Sequence, residues 1–320
     1  MKKQNELKPG RIILVVILLL IVITCTYLAV RPKDITITPY TGKQVDVIIN
    51  NEGMNFVGTI AYPEDIDEPC PAVLLLPGFM GERDELPVAN TSVLAEGGRP
   101  KGMLEKTALK LAEAGYVSMR IDYRYSGKSE GLWQDITATG ELSDAKVALK
   151  YLSENPAVDK NRLAVCGLSL GGALASCISD EPLVKIVVLW SPASELDVLK
   201  DEIFQSEGQL ELEEEGIVTL TMPWGETTTL KKTFFDSLED LHPLKEITIF
   251  KGPLLCICGK KDPVIAPQPQ QTLKFIDAHN GEEKLILIDA DHTFDNFLGF
   301  EKLDQAIDET RNWLDIYLKP

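Results

Sequence analysis

The chain has 320 residues, of which 44% are hydrophobic and 25% are charged, so it has enough apolar residues for a substantial core. These proportions are ordinary for a globular protein and exclude a chain that is disordered throughout. The formal net charge is −17, from 32 Lys and Arg against 49 Asp and Glu, with no dense basic cluster to offset it. Such a charge repels phosphate backbones, so nucleic acid is excluded as an expected partner.

The N-terminal part of the chain carries a predicted membrane segment. Residues 12–30 contain no charged residue, no Gly and no Pro. As a helix they would span roughly 28 Å, which is close to the hydrocarbon thickness of a bilayer. Residues 1–11 hold four basic side chains against one acidic side chain. The positive-inside rule therefore predicts a cytoplasmic N-terminal flank, a single-pass helix in the cell membrane and an extracytoplasmic domain behind it.

This segment has three competing interpretations. A cleaved signal peptide needs small residues at its cleavage site, and Tyr27 is bulky where a small residue belongs. A lipoprotein signal would end at Cys25, but Thr24 is an unusual predecessor and the apolar run continues past the cysteine. We therefore expect a retained signal anchor that inserts in the lipid bilayer, followed by a tether over residues 31–42. A buried core helix is disfavoured because the run is apolar on all sides.

The chain beyond the tether alternates predicted strands and helices. Residues 43–50 and 55–62 alternate apolar and polar side chains around a turn, which predicts a hairpin. The apolar run at residues 72–76 is typical of a strand that is buried on both faces. Further strands are predicted at residues 117–121, 162–166, 185–189, 253–258 and 284–288, and helices near 103–114, 141–154, from 170 and near 299–318. The pattern predicts an α/β fold over residues 43–320, with a mostly parallel sheet and helices on both faces.

Residues 193–250 interrupt this alternation. Between Pro192 and Phe250 the sequence has 14 acidic and 4 basic residues, and it contains a predicted hairpin at residues 217–222 and 226–230. The segment is too long for a simple loop and too short for an independent domain. We interpret it as a lid inserted over the sheet.

The six cysteines do not resemble a disulfide framework. Cys25 lies in the membrane run, Cys70 beside two prolines in a predicted loop, and the others, Cys166, Cys177, Cys256 and Cys258, in predicted core elements. Buried free thiols are the expected state. The pair Cys256-x-Cys258 has no further Cys or His cluster to complete a metal site, so we expect no metal and no cofactor.

A nucleophile is predicted at the end of one strand. The motif Gly-Leu-Ser-Leu-Gly at residues 167–171 follows the strand at 162–166 and opens a helix. In this context a sharp turn exposes the hydroxyl of Ser169, and the helix N-terminus adds positive partial charge where an oxyanion develops. The alternative is an ordinary Gly-Ser turn. The strand and helix around the motif favour Ser169 as the nucleophile.

A serine nucleophile needs a base, and the chain has only three histidines. His292 follows the last predicted strand. His279 stands where a helix ends, and there a histidine gains from the helix dipole. His242 lies at the far end of the insertion with no motif around it. We therefore predict His292 as the base.

The base needs an orienting carboxylate, and the oxyanion needs backbone N–H donors. Asp262 follows the strand at 253–258, at its carboxyl end, and is the predicted acid. Its competitors are Asp289 and Asp291. The predicted oxyanion donors are the N–H groups of Leu170 and of Phe79, although the segment around Phe79 is also compatible with a plain Pro-Gly turn.

Five motifs in this order resemble those of the α/β-hydrolase superfamily. They are Pro-Gly-Phe at 77–79, Asp-Tyr-Arg-Tyr-Ser-Gly-Lys-Ser-Glu-Gly at 122–131, the serine motif, Gly-Lys-Lys-Asp at 259–262 and Asp-His at 291–292. More narrowly, residues 43–318 are similar to the lid-bearing branch of cinnamoyl/feruloyl-esterase-like and serine-aminopeptidase-like proteins. The resemblance implies a serine esterase that acts on small-molecule esters through an acyl-enzyme. It implies small, medium or hydroxycinnamoyl acyl groups only at the level of the family.

The sequence departs from this family in two places. Pro77 stands where members usually have a histidine before the oxyanion donor, and residues 86–102 are longer than usual. Since the donor is a backbone N–H, we expect activity to survive the first change. The second change would reshape the rim of the pocket.

The expected substrate pocket contains Met80 together with Met222, Trp224 and Phe234 of the lid. The alternative is that the lid aromatic residues only fasten the lid to the core. Two other functions remain open: a peptidase whose acidic lid holds a free amino group, and an inactive binding protein on the cell surface.

Overall fold

The computed structural model describes residues 43–85, 102–196, 206–221 and 227–319. They belong to the second of two compact units, which runs from Pro39 to Pro320. Residues 12–30 lie outside the described part, so the membrane anchor stays a prediction from the sequence. Among the described residues, no helix combines the length and the apolar character needed to cross a bilayer.

Strands and helices alternate through most of the described chain. The strands are β1 (Gln44–Asn51), β2 (Met54–Ala61), β3 (Cys70–Leu76), β4 (Val117–Asp122), β5 (Val158–Leu168), β6 (Val184–Trp190), β7 (Ile217–Thr221), β8 (Thr227–Lys231), β9 (Leu254–Gly259) and β10 (Glu283–Ile288). The α-helices are α1 (Met103–Glu113), α2 (Ala138–Ser153), α3 (Leu170–Cys177), α4 (Ser206–Glu215), α5 (Lys232–Leu238), α6 (Pro243–Ile247), α7 (Gln270–Ala278) and α8 (Glu301–Leu318). A short 3₁₀ helix covers Trp133–Asp135.

The main sheet has eight strands in the order β1-β2-β4-β3-β5-β6-β9-β10. The pairs β1–β2 and β2–β4 are antiparallel, and the remaining pairs are parallel. The register aligns Leu76 with Gly167, Leu168 with Trp190, and Ile288 with Gly259. The carboxyl ends of β3, β5, β6, β9 and β10 therefore meet at one edge of the sheet, where open α/β sheets bind their ligands.

The sheet is buried on both faces, as the continuous apolar runs predict. In β3, Leu74 and Leu76 belong to one apolar cluster, whereas Val73 and Leu75 belong to the cluster on the other face. Helices α2 and α3 contribute to the first cluster, and α1 and α8 contribute to the second. The predicted α/β fold with a mostly parallel sheet between helices is thus confirmed.

The chain between β6 and β9 adds α4, α5, α6 and the separate two-stranded sheet β7–β8. We call residues 193–250 the lid. Phe234 and Phe235 of α5 are buried and join the same apolar cluster as α2 and α3. The N–H of Ala138 also donates to the Ser237 hydroxyl at 2.8 Å. The part of the lid around α5 is therefore packed onto the core.

Three details differ from the sequence predictions. Cys70 is the first residue of β3 rather than part of a loop, because its N–H bonds to the Ala157 carbonyl at 2.8 Å. Helix α2 starts at Ala138, since the Thr137 hydroxyl caps it by accepting from the Gly140 N–H. Helix α7 is an addition to the predicted elements; it has nine residues and buries only Thr272 and Phe275.

Candidate active site

Ser169 stands in a strained turn between β5 and α3. Its backbone has φ +56° and ψ −119°, in a region that residues with a β-carbon rarely adopt. The turn is tight: a Cβ at Gly167 would lie 2.0 Å from the Gly171 carbonyl oxygen, and a Cβ at Gly171 would lie 2.3 Å from the Pro77 carbonyl oxygen. The two glycines are therefore required by close backbone approach. This geometry is that of a nucleophile elbow.

His292 and Asp262 form a hydrogen-bonded pair. Their Nδ1 and Oδ2 atoms are 2.8 Å apart. The Asp262 side chain is fully buried, and its other oxygen, Oδ1, accepts from the N–H groups of Val264 at 2.8 Å and Ile265 at 2.9 Å. Three hydrogen bonds thus hold the carboxylate, and the carboxylate orients the imidazole. The outer ring nitrogen of His292, Nε2, is left for a substrate-side partner.

The two competing aspartates are engaged elsewhere. Asp289 is exposed and pairs with the Lys261 ammonium at 3.0 Å, a hydrogen bond that lowers the pKa of the Asp289 carboxyl. Asp291 accepts from the N–H groups of Thr293 at 2.9 Å and Asp295 at 2.8 Å, so it shapes the loop that carries His292. The structure brings only Asp262 of the three candidates to the ring of His292.

The other two histidines lie in different surroundings. His279 caps the C-terminus of α7, is buried, and contacts Glu283 through Nδ1 at 3.0 Å and the Gly252 carbonyl through Nε2 at 3.1 Å. Both partners lie at the amino ends of β9 and β10, at the opposite edge of the sheet. His242 is exposed and precedes the short helix α6. Neither is among the hydrogen-bond partners of the Asp262 carboxylate, which are Val264, Ile265 and His292.

The predicted oxyanion donors come from adjacent segments. Leu170 is the first residue of α3, and Phe79 lies in a turn of residues 78–81 closed by a 3.0 Å hydrogen bond from the Gly81 N–H to the Gly78 carbonyl. We call residues 78–81 the oxyanion turn. A Cβ at Gly78 would lie 3.3 Å from the Ser169 Cβ, so this turn touches the nucleophile elbow.

A cavity of about 430 Å³ opens beside the oxyanion turn. It is lined by Met80, by residues 132–134 and by residues 227–229 of the lid. Met80, which the sequence predicts for the substrate pocket, lines this cavity. Phe234 does not line this cavity: it is buried and packs on the Phe79 ring, with centroids 5.2 Å apart, so it fastens the lid to the oxyanion turn. Met222 and Trp224 lie outside the described residues.

Trp133 lines this cavity and contacts both the lid and the oxyanion turn. It was not among the residues predicted from the sequence. Its indole N–H donates to the Thr228 hydroxyl of the lid at 2.6 Å, and its ring centroid is 5.8 Å from that of Phe79. Beside it, Lys231 of β8 pairs with Asp135. The only sequence signal was an aromatic residue soon after the motif at residues 122–131, and this does not reveal a partner 95 positions away.

The described cysteines offer no second nucleophile. All five are free thiols, and Cys166, Cys177, Cys256 and Cys258 are buried. Burial raises the pKa of Cys177 to about 12 and moves that of Cys166 further in the same direction. Their thiols therefore stay protonated and unreactive. The described ranges also hold no group of three His, Cys, Asp or Glu side chains arranged to bind a metal ion.

Comparison with known proteins gives matches of three kinds. The sequence model of the prolyl oligopeptidase family matches residues 104–296. The quorum-quenching protein AidA of Acinetobacter baumannii (strain MDR-ZJ06) is 33% identical over 94 residues, which cover 28% of this chain and 31% of that protein. The thiohydrolase apmlB of Arthrinium phaeospermum is 31% identical over 125 residues, or 38% of this chain and 35% of that protein. The chain thus spans about a third of the length of these curated relatives.

Among solved structures, Est1E from Butyrivibrio proteoclasticus with ferulic acid bound has a TM-score of 0.67. It is 17% identical and covers 86% of this chain and 100% of its own. The family match and the shared fold place this chain in the α/β-hydrolase superfamily. Because the family model matches more than half of its residues, the chain belongs to the prolyl oligopeptidase family.

Replacing Asp262 with asparagine is expected to lower kcat by about 10⁴-fold, the size of the equivalent change in a serine protease, because an amide favours the wrong tautomer of His292. The measurement is steady-state hydrolysis of a soluble ester. Asp289→Asn is the control, since Asp289 is exposed and pairs only with Lys261, and it should retain wild-type turnover. A mild effect of Asp262→Asn together with a severe effect of Asp289→Asn would mean that Asp289, and not Asp262, orients His292.

Proposed function

We propose that this protein is a serine esterase that cleaves carboxylic esters through Ser169, His292 and Asp262. The observation that carries the proposal is the 2.8 Å hydrogen bond from the His292 ring to a fully buried Asp262 carboxylate. Both residues follow strands whose carboxyl ends meet beside the strained turn of Ser169. A nucleophile, a base and an orienting acid at one sheet edge are the parts that acyl transfer requires.

The proposed reaction has two halves. In the first half, the Ser169 oxygen attacks the ester carbonyl while His292 takes the hydroxyl proton of Ser169. His292 then gives this proton to the departing alcohol when the ester C–O bond breaks. In the second half, water loses a proton to His292, attacks the acyl-enzyme, and releases the acid while Ser169 regains its proton. The N–H groups of Phe79 and Leu170 stabilise the negative oxygen in both halves.

The cavity beside the oxyanion turn suggests the size of the substrate. A volume of about 430 Å³ lies within the usual range for small-molecule sites. Its walls combine the apolar side chains of Met80 and Leu132, the Trp133 indole and the threonine side chains of the lid. Such walls favour an uncharged acyl or alcohol group of small to medium size, including a hydroxycinnamoyl group. The structural likeness to Est1E with ferulic acid bound supports the aromatic option.

The test of this function is hydrolysis of a panel of p-nitrophenyl esters with graded acyl length, together with methyl hydroxycinnamates. The expected result is turnover that is highest for small to medium acyl groups and is lost when Ser169 is replaced with alanine. No turnover of any ester by the folded wild-type protein would contradict the proposal.

Replacing Leu132 with tryptophan is expected to narrow the cavity and so to change the acyl preference. Leu132 is 64% exposed, so a larger side chain meets no core packing. We expect kcat/KM for hydroxycinnamoyl and longer acyl esters to fall about 10-fold while that for acetyl esters stays unchanged. Ile316→Trp is the matched control, because Ile316 is also 64% exposed but lies on α8 and does not line the cavity. Unchanged kcat/KM for the longer acyl esters would mean that the substrate does not bind in this cavity.

A peptidase is the second candidate function, and the match to the prolyl oligopeptidase family favours it. The excess of acidic residues in the lid would suit a substrate with a free amino group. Aminoacyl p-nitroanilides assayed beside the ester panel separate the two functions. Faster turnover of an anilide than of every ester would replace the esterase by the peptidase, with the same three residues in the same roles.

A further inference from the structure

A buried carboxyl group occupies the inside of the oxyanion turn. Glu85 is 4% exposed, and its Oε2 accepts a hydrogen bond from the Gly78 N–H at 2.8 Å. A Cβ at Gly81 would lie 2.5 Å from the Glu85 Oε1 and 2.8 Å from its Cδ. The oxyanion turn therefore closes around this carboxyl group, and a β-carbon at position 81 would displace the carboxyl group from the turn.

The backbone of Glu85 is held in an unusual conformation by helix α1. Its φ is +41°, in the left-handed region that favours glycine. Its carbonyl accepts from the Met103 N–H at 3.0 Å, and the Asp84 carbonyl accepts from the Leu104 N–H at 3.1 Å. These bonds satisfy two of the N–H groups that a helix start leaves free. Helix α1 thus fixes the position from which the Glu85 side chain enters the turn.

We propose that Glu85 is the positioning residue of the oxyanion site. Its carboxyl group accepts the hydrogen bond of the Gly78 N–H and fills the turn. The next N–H, that of Phe79, is then free to face the oxygen of the reacting carbonyl. The inference rests on the proposed acyl-transfer function, and it holds for an ester or an amide substrate alike. Donors fixed before reaction stabilise an oxyanion more than donors that must reorganise.

The groups that face Glu85 from the neighbouring elements carry little free charge. Burial raises the pKa values of Tyr123, which follows β4, and of Glu141 in α2 well above their ordinary values, which favours the neutral form of both side chains. The carboxylate of Asp144 in α2 is paired with the Arg124 guanidinium at 2.7 Å. Arg124 is the cation in this group, and it is paired with Asp144 and Glu52 rather than with Glu85.

The charged neighbours of Glu85 along its own segment are also paired. Arg83 is bound to the buried Asp122 carboxylate, and Asp84 is bound to Arg120 at 3.0 Å. Burial raises the pKa of Glu85 to about 8, although the Gly78 N–H opposes this. Because the pKa is above neutrality, Glu85 is protonated and uncharged at pH 7.

Ionisation of Glu85 would work against the proposed reaction. A negative charge on its carboxyl group would lie within hydrogen-bond distance of the oxyanion turn, where negative charge develops on the substrate in the transition state. Proton loss from Glu85 occurs as the pH rises through about 8. We therefore expect kcat/KM to fall above that pH.

The experiment compares two substitutions of Glu85. Glu85→Gln keeps an oxygen that accepts from the Gly78 N–H and cannot ionise. It should retain kcat within about 2-fold at pH 7 and lose the alkaline fall, which is a change in the pH profile that a merely structural side chain would not cause. Glu85→Ala leaves the turn unfilled and should lower kcat about 10²-fold with little change in KM.

The control is Glu82→Gln, because Glu82 is an exposed carboxylate in the same segment. This variant should keep the wild-type profile, including the alkaline fall. The melting temperature adds a readout without substrate: Glu85→Gln should melt above the wild type at pH 9, where the wild type must bury a charge. If Glu85→Ala does not fold, the pH profile and melting temperature of Glu85→Gln still carry the test.

Two results would overturn the proposal. One is an alkaline fall that persists in Glu85→Gln, and the other is wild-type kcat in folded Glu85→Ala. Either result leaves the esterase function standing, since the wild-type enzyme would still hydrolyse the ester panel. A wild-type protein that hydrolyses no ester and no anilide would instead overturn the proposed function and this inference together.

Discussion

Replacing Ser169 with alanine is expected to lower kcat for ester hydrolysis by about 10⁶-fold, as loss of a serine nucleophile does in a serine protease. The change removes one oxygen and keeps the backbone hydrogen bonds of the turn, such as the 2.8 Å bond from the Ser169 N–H to the Trp190 carbonyl. The fold should therefore persist. The measurements are steady-state hydrolysis of the best ester and covalent labelling with a fluorophosphonate, followed by peptide mapping of the label.

Ser191→Ala is a matched control for this variant. Ser191 also ends a strand of the same sheet and also has a positive φ, of +41°. Its side chain is fully buried, however, so no substrate can reach its oxygen. We expect wild-type turnover and labelling from Ser191→Ala. Near-normal turnover by Ser169→Ala would reject the nucleophile, and a wild-type protein that resists the fluorophosphonate would favour the inactive binding protein.

Replacing His292 with alanine is expected to cost as much as the loss of Ser169, because nucleophile and base act as a unit. The structural reason is that the described part of the chain supplies one imidazole bound to the Asp262 carboxylate, at 2.8 Å. The double variant of Ser169 and His292 should lose little more than either single variant. The measurement is kcat for the same ester, at one pH and with the folded fraction verified by circular dichroism.

The two other histidines provide the controls. His242→Ala should keep wild-type kcat, since His242 is exposed and lies in the lid before α6. His279→Ala should lower the melting temperature, because it removes contacts to Glu283 and Gly252, yet keep kcat per folded molecule. If His242→Ala were the inactive variant, the base would come from the lid and the proposed roles at the strand ends would be wrong.

Much of the fold could be predicted from local patterns. Strands β3, β6 and β9 are apolar at nearly every position, and β5 is apolar from Leu163 onward. The reason is that a strand buried on both faces must be apolar wherever its partner strands lie. The lid hairpin was also predicted, because its signal is a turn between two short alternating runs.

The proposed site residues Ser169, Asp262 and His292 were also predicted from the sequence, and the structure places the last two in direct contact. Each follows a recognisable strand, and parallel strands bring their carboxyl ends to one edge. The scarcity of histidine then narrowed the choice of base to three positions. The signal for each residue was local, and the topology of the sheet supplied the rest.

The sequence by itself therefore determined the class of fold, and it predicted the strand ends and the type of nucleophile on which the proposed function rests. Only the tertiary structure decided what surrounds them. Trp133 meets Thr228 across 95 positions of chain, and Glu85 enters the oxyanion turn from a backbone conformation that no local pattern announces. Apolar periodicity reports the face that a residue buries, because burial is a property of its own element. A polar contact joins residues of two different elements, so the sequence around one residue does not identify the other. The pairing becomes known only when the chain is folded.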